Sequence, residues 1–238
     1  MIQAEALRPN RCRIIAALAC NPYENVELVQ QLVLEARDSG ADIVKLPGRI
    51  NHSSSNDQAG LSLDDLESII ETVQGVDLLI APYDLEVVNR ISLKKFYGWK
   101  IEPELLTHLK LLKATTATHL ALVAGVTGCT KLELNDALGQ LSKDVVLLHT
   151  ILHNESAVEI SDVAHMVGLR SYGRRVGYAD HSSGKEGALL AVALGATVIE
   201  KPLTFAGLKT ESEKEKSLRP NEFRVFVEEI KKLESILM

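Results

Sequence analysis

Aromatic side chains are scarce in this sequence: 4% of 238 residues, with a single tryptophan. Its core must therefore be aliphatic. Cysteine is nearly absent. Cys12, Cys20 and Cys129 are odd in number and lack Cys-X-X-Cys spacing, which excludes a disulfide framework and a zinc knuckle. No basic run exceeds two neighbours and the net charge is −6, so nucleic acid is not an expected partner. No apolar run approaches the ~18 residues that span a bilayer, so a membrane is not expected either. The N-terminus, "MIQAEALRPNRCRIIAALACNPYE", has an apolar run of only about eight residues and the wrong flanks for a signal peptide. These absences describe a reduced, soluble, cytoplasmic protein. A Pro- or Gly-rich linker is missing too, so residues 1–238 read as one domain.

What is present is a βα alternation. Short apolar runs rich in β-branched residues occur at 13–19, 41–46, 77–83, 97–101, 119–125, 144–150, 175–180 and 196–203, each followed by a helical pattern. Leu28, Val29, Leu32, Val33 and Ala36 recur at the 3.6-residue period, as do Leu63, Leu66, Ile69, Ile70 and Val73. Thr130 and Glu133 have capping-box spacing. Gly40 and Gly75 stand where helices should close. Phe223, Phe226, Val227, Ile230 and Leu233 line a closing amphipathic helix. Apolar strands flanked by helices imply a parallel sheet covered on both faces. Eight such units predict an α/β fold, a single (β/α)8 TIM barrel, with an open doubly wound sheet as the competing architecture.

Barrel enzymes carry their sites at the C-terminal ends of the strands. That end selects Asn21, Lys45, Tyr83, Asp84, Lys100, His149, His153, Asp180, His181, Glu200 and Lys201. Lysines at a concave strand-end pocket bind phosphate or carboxylate, or form a Schiff base when desolvated. Lys45 and Lys100 come from strands two and four and should project at one level of the interior. Glu102, Asp84 and Glu200 are at hand to neutralise them. His181, with His52, His149 and His153, supplies imidazole for metal binding or proton transfer. "GVTGCT" (125–130) precedes a helix and could offer amides to an anion. The polar loop 48–60 is a candidate lid.

"GYADHSSGKEGALLAVALGATVIEKPLTF" (177–205) resembles the sialic acid synthase (N-acetylneuraminate synthase) family. "GADIVKLPG", "APYDLEVV", "WKIEPELLTHLKLLK", "VVLLHT" and "SLRPNEF" resemble its other segments in the same order. The resemblance spans nearly the whole chain. It implies a TIM-barrel transferase of carbohydrate biosynthesis that condenses phosphoenolpyruvate with an N-acyl hexosamine such as N-acetylmannosamine. Lys45 and Lys100 match lysines that hold the anionic substrate. His181 matches one of two histidines that bind a divalent metal, Mn or Mg. Asp180 is its neighbour, and Glu200-Lys201 precede the second histidine. Lys45, Lys100, Asp180, His181 and Lys201 are thus the candidate catalytic residues; Asn21, Tyr83, Asp84, His153 and Glu200 are the candidates for substrate binding.

The sequence departs from the family pattern at several of these positions. The second histidine is Pro202, so His181 alone is expected to hold manganese weakly. The family's first-strand acid is Ala17, its Asn-His-Asn-Gly is Asn21-Pro22-Tyr23-Glu24, and the Gln after Val-Lys-Phe is Pro47. The serine beyond Lys-Ile is Pro103. Ser-Thr-Gly-Met is Val123-Ala124-Gly125-Val126, Ala179 replaces a serine, and the Asn-X-Tyr after strand six reads Leu152-His153-Asn154. The family's C-terminal antifreeze-like domain is not expected. A divergent synthase acting on phosphoenolpyruvate or a related small acid with an amino-sugar or aldehyde is one expectation. A non-catalytic barrel binding a metabolite or protein, and a metal-independent Schiff-base lyase, are the alternatives. Expected partners are a small anionic or sugar ligand and a second copy of the chain.

Overall fold

The computed structural model describes residues 11–18, 25–48, 61–150, 160–205 and 217–237. Eight strands lie close to their expected bounds: β1 Arg13–Leu18, β2 Ile43–Gly48, β3 Asp77–Pro82, β4 Gly98–Ile101, β5 Ala121–Gly125, β6 Val146–Thr150, β7 Arg175–Ala179 and β8 Val198–Leu203. The helices between and after them are α1 Val26–Asp38, α2 Leu63–Thr72, α3 Leu85–Ile91, α4 Leu109–Ala117, α5 Lys131–Leu138, α6 Ile160–Gly168, α7 Glu186–Ala193 and α8 Pro220–Leu237. All strand pairs are parallel, and β1 pairs with both β2 and β8, with Ile15 opposite Ile43 on one side and Glu200 on the other. That closure makes a (β/α)8 barrel and excludes the open sheet. Among the described residues no helix is long and apolar enough to cross a membrane.

Local chemistry sets the helix ends. Asn25 and Asp84 accept the backbone N–H groups of Leu28 and Val87 at the starts of α1 and α3. Thr130 and Glu133 form the expected capping box on α5. Gly40 and Gly75 take φ of 93° and 81°, left-handed values that glycine adopts without a Cβ penalty.

Strand alternation sorts the core into two parts. Ile15, Ile43, Leu79, Val123, Val146 and Val198 fill the barrel axis. Ile14, Val44, Ile80, Trp99, Leu147 and Ile199 face the helices. Val198 and Ile199 are fully buried on opposite faces of β8, as a strand covered on both sides requires. Trp99 packs edge-on to Phe96 and donates its indole N–H to Thr118 at 2.9 Å. As the lone tryptophan, and wholly buried, it is a natural fluorescence reporter of unfolding.

Gly98 lies two residues below Lys100, on the same face of β4. A Cβ at Gly98 would sit 2.2 Å from the Ala121 carbonyl oxygen, and β5 is paired at that point. Gly98→Ala is therefore expected to destabilise the barrel by about 1–3 kcal/mol, the usual cost of overpacking. The urea midpoint of Trp99 fluorescence checks this; an unchanged midpoint would show that β4 and β5 can separate without loss.

Candidate active site

Four charged side chains meet at the C-terminal end of the barrel axis. Lys45 on β2, Lys100 on β4 and Glu200 on β8 share the inward-facing parity, and Glu102 continues that parity one step past β4. Lys45 Nζ lies 2.9 Å from Glu102 Oε1 and 3.8 Å from Glu200 Oε1. Lys100 Nζ lies 3.0 Å from Glu102 Oε2 and 3.4 Å from Glu200 Oε2. Each carboxylate thus bridges both ammonium groups. At such distances opposite charges attract by about 4 kcal/mol at an effective dielectric of ~20, enough to cancel the repulsion between two neighbouring lysines. The apolar axis residues close the tetrad from below. Lys45 and Glu102 are its more open members, with side chains 17% and 13% exposed against 2% each for Lys100 and Glu200.

Burial alone would strip the charge from this group, and the pairing prevents it. Desolvation pulls the Lys100 pKa down, but Glu102 and Glu200 outweigh it and hold the ammonium above the usual lysine value. Desolvation likewise pushes Glu102 up, and Lys100 and Lys45 overcome it, holding the carboxyl well below the usual range. The four groups sum to zero charge. His181, in the turn after β7, feels the charges of all four, but burial dominates and lowers its pKa. It is therefore neutral at pH 7, and can accept a proton or donate one from a single ring nitrogen.

Asp180 and Lys201 do not join this cluster. Their parity is that of Tyr178 and Ile199, which face the helices. The Asp180 carboxylate accepts the backbone N–H and hydroxyl of Ser182 at 2.9 and 2.6 Å and the N–H of Ala188, in α7, at 3.2 Å. Lys201 donates to the carbonyls of Ser182 and Gly184 at 2.7 and 2.6 Å and lies 3.4 Å from Asp180. These three partners occupy its three N–H donors. Both side chains are fully buried. Burial pushes the Lys201 pKa below the usual value, with Asp180 pulling it partly back. The pair ties the β7–α7 turn to β8, so the expectation that both act in the pocket is corrected: they hold the turn that presents His181.

The other expected residues divide similarly. Asp84 caps α3 instead of neutralising a lysine. The Tyr83 hydroxyl donates to Glu104 at 3.4 Å, in the 3-10 turn Pro103–Leu105. His149 points outward, where its ring lies 5.7 Å from that of His165 on α6 and Nδ1 is 3.3 Å from the Thr127 hydroxyl. It does not contribute to a site on the barrel axis. The α5 N-terminus beyond "GVTGCT" is filled by Glu133, whose carboxylate accepts from Thr130 N–H at 2.7 Å. Asn21, His52, His153 and the candidate lid beyond Gly48 lie outside the described residues. Glu102, expected to neutralise the lysines, is an integral member of the site: Lys-Ile-Glu at a strand end places the first and third side chains on one face.

Residues 47–238 match the NeuB family. The chain belongs to that family. An N,N'-diacetyllegionaminic acid synthase of Campylobacter jejuni is 28% identical over 261 residues, covering 94% of this chain and 77% of the relative. A pseudaminic acid synthase of Helicobacter pylori is 24% identical, covering 92% and 73%. Among solved structures, an N-acetylneuraminic acid synthetase of Leptospira borgpetersenii, in complex with citrate, superposes with a TM-score of 0.85 at 25% identity, covering 96% of this chain and 86% of that one. The resemblance read from residues 177–205 and the predicted barrel are both correct.

The metal implied for such synthases finds a poor donor set here. Among the described residues no three His, Cys, Asp or Glu side chains stand together in a way that could hold an ion. His181 has Pro202 where the resemblance places its partner. The carboxylates whose charge His181 feels, Glu200 and Glu102, are already bridged to two ammonium groups, which also repel a dication. The described residues therefore do not fit a divalent metal.

Proposed function

We propose that this NeuB-family chain is a carbohydrate-biosynthesis synthase that joins a small acid, phosphoenolpyruvate or a related one, to an amino-sugar or aldehyde at the strand-end tetrad. The observation that carries the reading is the convergence of Lys45 and Lys100 from separate strands at the open end of the axis. Two fixed ammonium groups there suit the carboxylate of an acid donor. Neutral His181 beside them suits hydrogen-bond donation to the oxygen that develops charge when a carbonyl is attacked. The relatives, named as N,N'-diacetyllegionaminic acid synthase and pseudaminic acid synthase, support the same class. The free Cys12 and Cys129 agree with a cytoplasmic setting.

The test is incubation of the purified chain with phosphoenolpyruvate or pyruvate and N-acetylmannosamine, with and without manganese, followed by mass spectrometry. A coupled 2-keto acid product is expected. Lys45→Ala and Lys100→Ala should each lower its rate by about tenfold or more, scaled from a lost charged hydrogen bond. No product from any acid–aldehyde pair would sink the reading.

One set of observations favours a second reading, a barrel that binds a metabolite without turning it over. Both lysines are already neutralised by protein carboxylates, and Pro202 removes a metal ligand. The Schiff-base alternative has less to stand on. Lys100 is held protonated by two carboxylates, the opposite of what a nucleophilic amine needs. Lys201, whose pKa is lowered, is sealed behind β8 with its donors used.

A further inference from the structure

Glu102 sits as a bound carboxylate ligand would. Its two oxygens accept separately from Lys45 and Lys100, at 2.9 and 3.0 Å, closer to both than Glu200 is. The two carboxylates differ in how firmly they are held. Glu200 lies within β8, paired to β1 and β7, with its side chain nearly sealed. Glu102 lies beyond the last residue of β4, with φ −75° and ψ 150°, at the entry to a 3-10 turn. It is on the open side of the tetrad, and its side-chain bonds among the described residues are those to the two lysines. Glu200 by itself leaves the pair of ammonium groups with one uncompensated positive charge, and Glu102 supplies the balancing one.

We propose that Glu102 is a built-in counter-anion that fills the anionic subsite between Lys45 and Lys100, and that a carboxylate- or phosphate-bearing ligand binds by displacing it. The proposal rests on the reading that the tetrad is the ligand site. Its consequence is selectivity. A ligand anion gains two charge-assisted hydrogen bonds only by breaking the two that Glu102 already makes, so small oxyanions bind weakly to the resting protein. The displaced carboxylate regains water at the rim. Because Glu200 stays in place, a single negative charge exchanges like for like, whereas a more highly charged group adds charge to a balanced site. A productive ligand must then draw further binding from parts of the molecule away from its anion.

The experiment uses inorganic phosphate as the probe, titrated calorimetrically into the full chain at ionic strength fixed with chloride. Wild-type protein is expected to bind it weakly. Glu102→Gln, similar in shape but uncharged, is expected to bind about tenfold tighter or more. Adding Lys45→Ala to that variant should abolish the gain. If loss of the counter-charge leaves Glu102→Gln too unstable to titrate, phosphate should raise its Tm, and that of Glu102→Ala, with the logarithm of concentration, and by more than it raises wild type. A folded Glu102→Gln that binds phosphate no better than wild type overturns the proposal. So do variants whose Tm phosphate raises no more than it raises that of wild type. Since no turnover is measured, the two readings separate: phosphate gain without any synthase product discards the synthase and keeps the counter-anion, and product without phosphate gain does the reverse.

Discussion

Asp180→Ala is expected to destabilise the barrel by about 3–5 kcal/mol, the cost of leaving one charge of a buried pair unpartnered. Asp180 and Lys201 have no exposed side-chain surface, so water cannot replace the missing carboxylate. The substitution also orphans the Ser182 and Ala188 N–H groups, and unsatisfied buried donors add their own penalty. A loss of that size consumes a large part of the net stability of an ordinary domain. Asp180→Ala/Lys201→Met should recover part of it, because removing both charges leaves neither uncompensated. Urea unfolding followed at Trp99 measures both proteins. An Asp180→Ala variant with wild-type stability but no ligand binding would return Asp180 to the list of groups that meet substrate.

The contrast between Asp180 and Lys100 shows what the sequence could carry. Both stand at strand ends beside a charged partner and look alike as one-dimensional text. The barrel itself was legible because hydrophobic periodicity is local, and eight βα units leave few ways to close. Strand parity was legible in the same way: Val198 and Ile199 were expected on opposite faces and are found there. The same alternation places Glu200 inside and Lys201 outside, yet the rim position of Lys201 and its match to a family segment made it look like a pocket residue. His149 misled for the same reason, one residue out of phase with Leu148. Glu102 was harder to read because it follows the strand rather than belonging to it. That its oxygens span two lysines depends on the distance between β2 and β4, which no local pattern contains. The missing metal partner, by contrast, was visible directly as Pro202.

Lys100→Met is expected to lower stability by about 3–5 kcal/mol at pH 7, and the loss should shrink in acid. The methionine keeps most of the lysine's volume, so the change isolates the charge. Among the described residues, Glu200, 2% exposed, then has only Lys45 at 3.8 Å as an ion-pair partner, and Glu102 keeps one ammonium group instead of two. In the wild type the depressed Glu102 carboxyl stabilises the fold at every pH above its unfolded value, near 4.5. That contribution is lost as pH falls below that value toward the folded one. In Lys100→Met the stronger of the two attractions on Glu102 is gone, so its carboxyl titrates higher. Protonation then relieves the variant at a pH where the wild type is beginning to lose its advantage. The difference between the two proteins is thus full at pH 7 and narrows below about pH 4.5. Lys100 itself has a raised folded value, so its share persists from neutral pH up to the usual lysine value and is lost only as pH rises through the higher one. Far-ultraviolet circular dichroism in urea at pH 7 and pH 4 tests this without relying on the neighbouring Trp99. A gap of equal size at both pH values would mean that the cost lies in how the methionine packs at the end of the barrel axis and not in the lost charge. The tetrad would then be a packing feature, and the case for an anion site built on its charges would fall with it.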